Sequence, residues 1–527
     1  MSTEYKQLNP FELKTAILNL LSQLNSVADV QKCYDKIEMI CSQENKTVLA
    51  KLLFKELSNS PKEKIPVICF LLEHCLPKDE LISGLWEILK NKNLATDVRI
   101  MVLNLLRELD SDWSYEDCSE YLDDAQEILD ASTKELLNTA IINPEVQIDF
   151  MDFLQSIKTD DKITLLHTFE QDFDDDAFAN ILIPVFVSKP ESAEGKEALK
   201  LLEATKSQLA LHTLEKMLKL TKGELNQNIR KSLAILKMSG MREDNTKEFY
   251  KKILAQTVPD KFYLTYPDGR GNVAMICTRK TSQNRIRFIS IVVNTDNGIK
   301  DCFGFFDISQ FECDKILERF LKDEKVASVS PEAFVNILYN AEVLTLNKSS
   351  WELPYEYVCW SNLLSDIPCE EESFEQILKM QILPAKTGND IFKRLEDMKI
   401  SVHWFMDKDY SSEFEALIKN LDKNPDEVLK EFYPLIFTQE EIQSWKNKLI
   451  ISAYIKYVIG KDNEASEIYG LLYNEELFEK FLENILKKSI YEYFVLIKYN
   501  KEINTQMFTS EMISDKIRYI EENWVQN

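Results

Sequence analysis

The chain has 527 residues, 45% hydrophobic and 29% charged, with a formal net charge of −25. That balance belongs to a folded protein with a sizeable core and roughly two to four domains. The acidic excess argues against a general nucleic-acid binder, which needs clustered Lys and Arg to meet phosphates, and against docking on anionic lipid.

Two further exclusions concern location. No apolar run approaches the ~18 residues of a membrane span, and the first residues, Met1 to Gln7, carry neither the basic nor the apolar stretch of a signal peptide. The ten cysteines show no CxxC pair and several fall on apolar helix faces, as Cys69 and Cys75 do. Buried free thiols in a reducing, cytoplasmic compartment are the expectation.

Residues 1–256 read as helix throughout, with apolar residues at helical spacing and short connections that make neighbours antiparallel. Asn9-Pro10 opens the first helix, carrying Leu13, Ile17, Leu20, Leu21 and Leu24. Ser60-Pro61-Lys62-Glu63 has the form of a capping box ahead of Ile65–Leu76. Asn143-Pro144-Glu145, Thr159-Asp160-Asp161 and Ser207 mark later starts, and the acidic cluster Asp172 to Asp176 reads as a cap for Ala177–Val187. Helices of similar length with short links suggest stacked hairpins, an α-solenoid.

Four stretches carry a resemblance. Thr96-Asp97-Val98-Arg99-Ile100-Met101-Val102-Leu103 and, more weakly, Asn228-Ile229-Arg230-Lys231-Ser232-Leu233 look like the second helix of a HEAT repeat. Ile65-Pro66-Val67-Ile68 and Ile183-Pro184-Val185-Phe186 resemble its first helix, with a mid-helix proline that kinks it. The resemblance covers about half of the chain in degenerate repeats. It implies a scaffold or partner-binding surface and no chemistry.

Between Pro259 and Ser309 the composition changes. Residues 260–309 hold one leucine, Leu264, no glutamate, and a β-branched run from Ile286 to Val293. Strands are predicted at Phe262–Tyr266, Asn272–Arg279, Arg285–Asn294 and Ile299–Ile308. Turns fall at Pro267–Gly271 and at Thr295-Asp296-Asn297-Gly298, a hairpin signal. The result is a meander with one face packed on helices and the other freer. Seven Lys and Arg against five Asp give this region a local net charge of +2 in an acidic chain. Arg270, Arg279, Arg285 and Arg287 are candidate contacts for an anion or a partner, or strand-end charges paired with acidic helices.

Residues 310–527 return to helix at Phe311–Leu321, Pro331–Leu344, Glu440–Ile459, Asn474–Lys488 and Ile490–Tyr499. The aromatic stretch Trp351 to Trp360 reads as irregular. It either plugs the junction of sheet and helices or offers Trp351, Tyr355, Tyr357 and Trp360 as anchors for a partner peptide.

The sequence therefore predicts a mainly α protein: a HEAT-like helical arm over 1–256, an antiparallel β-meander over 257–309 and a C-terminal helical domain over 310–527. The expected function is a non-enzymatic scaffold or adaptor for a protein partner, of basic character given the acidic chain. No cofactor, metal, nucleic acid or membrane span is expected, and oligomeric state is open. The alternative is a regulatory module reading a small anion through the sheet arginines. An enzyme at the sheet–helix junction, using Asp268, Asp301 or His403, ranks last, because the four histidines show no metal-ligand spacing and no nucleophile motif occurs.

Overall fold

The computed structural model describes residues 7–24, 33–60, 64–91, 93–109, 124, 128, 137–170, 173–240, 254, 257–322, 326–348, 352–406, 412–421, 424–499 and 509–525. The protein is mainly α, with one small antiparallel sheet. It divides into two compact units, Met1–Asn138 and Thr139–Asn527.

In the first unit six helices follow one another: α1 (Pro10–Gln23), α2 (Tyr34–Cys41), α3 (Lys46–Asn59), α4 (Ile65–Cys75), α5 (Lys78–Leu89) and α6 (Thr96–Leu109). They form hairpins α1/α2, α3/α4 and α5/α6. Each helix packs most closely on its hairpin partner, and between successive hairpins odd helices meet odd and even meet even, giving two layers. Leucines at helical spacing, such as Leu49, Leu53 and Leu57 of α3, are fully buried between them, each worth about 1.5–3 kcal/mol. Asn9 starts α1 as expected, its side chain accepting from the N–H groups of Phe11 and Glu12. Two local expectations are corrected. Ser60 closes α3, its N–H bonded to Glu56, so it is not the cap of α4. Pro66 sits in the first turn of α4, where no backbone bond is lost and no kink results. A third correction concerns the thiols: Cys41 and Cys75 form a disulfide between α2 and α4. Cys33, Cys69, Cys277, Cys302, Cys313 and Cys359 are reduced and buried, Cys369 is reduced and half-buried, and Cys118 lies outside the described residues.

The second unit begins with the same arrangement. Helices α7 (Pro144–Ser156), α9 (Asp175–Ser188) and α11 (Gln208–Leu220) make one layer. Helices α8 (Thr159–Phe169), α10 (Ala193–Ala204) and α12 (Gly223–Met238) make the other. Asn143, Asp174 and Ser207 cap α7, α9 and α11 through their side chains. Pro184 lies inside α9; Asp172 is outside the described residues.

The sheet follows: β1 (Val258–Thr265), β2 (Asn272–Lys280), β3 (Arg285–Asn294) and β4 (Gly298–Ser309), with β5 (Val326–Ser328) added against β1. The order is β4-β3-β2-β1-β5, a four-stranded meander extended by a short strand too brief to be read from sequence. Asn297-Gly298 turns the hairpin as expected. Gly298 has φ +88°, and a Cβ there would meet Ala341 and Thr345. β4 carries one extra residue near Lys300 and another near Asp307, two bulges on an edge strand.

Three helices sandwich the sheet: α13 (Gln310–Leu321) on one face, α14 (Pro331–Asn347) and α15 (Tyr355–Ser361) on the other. α13 lays Cys313 and Leu317 over Ile276, Ile286 and Phe288. On the opposite face Phe262 meets Phe334 of α14 edge-on, and Trp360 of α15 fills the space left by Gly304. The outer face is the freer one, since Phe303 and Phe305 are half exposed there.

The remaining helices are α16 (Phe374–Gln381), α17 (Ile391–Asp397), α18 (Ser412–Lys419), α19 (Pro425–Ile436), α20 (Gln439–Val458), α21 (Asp462–Leu471), α22 (Glu475–Tyr499) and α23 (Ser510–Ile520). The two helices expected around Ser489 are one. Ser489 is buried, donates to the Ile485 carbonyl and accepts from the N–H of Met406, so its hydroxyl is satisfied without breaking the helix. Trp404, Trp445 and Phe481 cluster edge-to-face at about 6 Å, and the Trp404 indole donates to the Pro267 carbonyl at the sheet end. The β3–β4 turn is tied to α20 as well, Asp296 accepting from Ser444 and Asn447.

Candidate functional site

The sheet arginines do not converge on one open pocket. Arg279 and Arg287 lie directly opposite each other on β2 and β3, both buried, on the face that α14 and α15 cover. Two like charges in that position repel, so each needs its own compensation. Arg279 is fully buried and grips Asp366 with two hydrogen bonds of 2.9 and 2.8 Å while donating to Thr257. Arg287 stacks on the Phe306 ring at 4.0 Å. Burial first, and then Arg279, lower its pKa to about 10. Arg285 bonds the carboxylate and carbonyl of Asp307 near the surface. Arg270 is exposed on the turn before β2.

The aromatic stretch is helical from Tyr355, with Pro354 in the capping position where a proline starts a helix instead of breaking it. Tyr357 and Trp360 are buried, Tyr355 is half-buried and bonds Asp152 of α7, and Trp351 lies outside the described residues. Next to Tyr355, burial together with the charges of Asp152 and Asp301 raises the Glu356 pKa, and burial with Asp152 raises that of Asp149.

Asp268 and His403 do meet, on the wall of a cavity of about 310 Å³ at the end of the sheet beside Lys300 and Tyr266. Asp301 is not part of that wall. The Asp268 carboxylate holds its own turn, accepting from the backbone and side chain of Asn272.

A larger cleft lies between α9, α11 and α12 on one side and α14, α15 and the segment to Glu371 on the other. It measures about 730 Å³. About half of its lining is aliphatic, including Ile183, Val187, Leu233, Leu338, Leu353 and Ile367. Two ion pairs cross it: Lys216 to Glu342 at 2.7 Å and Lys219 to Glu371 at 2.9 Å. Glu342 is nearly buried and also accepts from the Tyr357 hydroxyl at 2.8 Å. Burial and then Lys216 lower the pKa of His212 on the rim, which keeps its imidazole neutral near pH 7. Sequence reasoning missed this site. One signal was present: Glu342 interrupts the apolar stripe formed by Phe334, Leu338 and Ala341 of α14. Among the described residues no cluster of three or more His, Cys, Asp or Glu is placed to hold a metal, and no helix is long and apolar enough to cross a membrane. No family model, no curated protein and no solved structure matches the chain.

Proposed function

We propose that the protein is a non-enzymatic scaffold or adaptor that holds protein partners on a HEAT-like helical surface, with a basic partner suited to the acidic chain. The observation that carries this reading is the two-layer stacking of hairpins, which recurs within both units: α1, α3, α5 over α2, α4, α6, and α7, α9, α11 over α8, α10, α12. A stack of this kind leaves a long helical face unpaired by any further layer, which is what extended partners bind. The net charge of −25 supports a preference of the chain for cationic partners. A cytoplasmic setting belongs to the same reading, against which the Cys41–Cys75 disulfide stands. Alkylating free thiols in intact cells before lysis tests the setting: a protected Cys41 and Cys75 removes it.

The function is tested with the full chain as bait in native extract, followed by titration of any stoichiometric partner. Affinity should fall about tenfold or more between about 50 and about 300 mM salt. A salt-insensitive complex removes the electrostatic reading, and the lack of any stoichiometric partner removes the scaffold.

A further inference from the structure

The cleft between α11 and α14 has a feature that packing does not require. Glu342 is about 4% exposed, yet both hydrogen bonds to its carboxylate, from Lys216 and from Tyr357, land on Oε1. Among the described residues no donor is hydrogen-bonded to Oε2, and the residue lines the cavity. Oε2 is not sealed in the core, so a donor that enters the cavity can reach it. The space is far larger than a water molecule needs and about half of its lining is aliphatic, so a donor carried on an apolar body fits it.

Charge selects the kind of donor. The charged side chains of the cleft are already matched, Lys216 with Glu342, Lys219 with Glu371 and Lys237 with Glu215, so an ammonium finds no unbalanced carboxylate there. An anion would face the Glu342 oxygen itself. Only an uncharged donor is welcome on both counts.

We propose that this cleft binds an uncharged, largely apolar small molecule bearing a hydroxyl group, with that hydroxyl donated to Oε2 of Glu342. The apolar body lies against Ile183, Leu233 and Leu338, and the Lys219–Glu371 pair closes over it. Both residues of that pair are about half exposed, so it opens at little cost.

The experiment uses the full chain and two matched series, one linear and one polycyclic. Each contains an alcohol, its methyl ether, and a carboxylate and an ammonium of the same body, for example dodecanol and a hydroxysteroid with their derivatives. Binding is followed by titration calorimetry below the critical micelle concentration. At least one alcohol should saturate below about 100 μM and bind about tenfold or more tightly than its ether. Glu342→Gln, which replaces Oε2 by a donating amide, should abolish that preference. Val335→Trp, on the cleft wall, should block alcohol and ether alike while the chain still melts cooperatively. If no alcohol saturates, if ether matches alcohol, if a charged analogue binds best, or if a folded Val335→Trp chain binds as before, the proposal is overturned.

Discussion

Arg279 and Arg285 show how differently two arginines on one sheet are used. Arg279 is fully buried with a bidentate partner and a threonine, whereas the Arg285–Asp307 pair is open to water. Arg279→Ala should therefore cost about 3–5 kcal/mol in urea unfolding, and Arg285→Ala within about 1 kcal/mol. Arg279→Lys should not restore the loss, since a single ammonium cannot replace the planar fork. Equal effects from the two substitutions would contradict these assignments. Glu356 gives the pH counterpart. Its folded pKa is raised, so the folded state holds this proton more tightly than the unfolded chain. The cost of ionising it is complete above the raised value and vanishes as pH falls to the ordinary glutamate value near 4.5. Glu356→Gln should thus melt higher than the native chain at pH 7, with the difference shrinking toward zero on acidification. The sequence offered the arginines as a group because they are close in number and in a basic segment. What each touches depends on Asp366, Phe306 and Asp307, and Asp366 is distant in the chain; no local pattern carries that pairing.

At the scale of elements, the sequence was legible where chemistry is local. Asn9, Asn143, Asp174 and Ser207 are side-chain caps, and β3 runs over Arg285–Asn294 as its β-branched composition predicts. It misled where tertiary contacts decide. Ser60 ends a helix it was expected to begin, Ser489 does not divide α22, and β5 exists because β1 offers it an edge. Gly304 belongs to the second kind. A Cβ there would come within 2.7 Å of the Trp360 indole and 2.6 Å of the Phe288 carbonyl. Gly304→Ala should force β4 away from α15 and cost about 1–3 kcal/mol in thermal or urea unfolding. A neutral result would mean that Trp360 swings aside freely, which its burial on every side opposes.

For the whole molecule, the sheet is a keystone of the second unit. α7 and α15 reach β4, with Glu145 accepting from the Phe306 N–H, while Trp404 and α20 hold the turns at its far end. Deleting residues 259–309 should therefore abolish cooperative melting of the fragment Thr139–Asn527, which is itself expected to fold alone. A deletion variant that still melts cooperatively would show the sheet to be an appendage. Mainly α architecture with one meander was readable from composition alone. The cleft was not, because its lining is gathered from five separated segments and only the lone acid in an apolar stripe betrayed it.

The disulfide between α2 and α4 has a consequence for how the first unit comes apart. Stacked hairpins lose structure from an end, each opening nearly independently of distant neighbours. Cys41 and Cys75 lie in successive hairpins of the even layer, so oxidation fuses two such steps into one. With the bond formed, the amides of α2 and α4 should exchange with deuterium at a common rate. Once it is reduced, α2 should exchange first, and the stack would then fray one hairpin at a time.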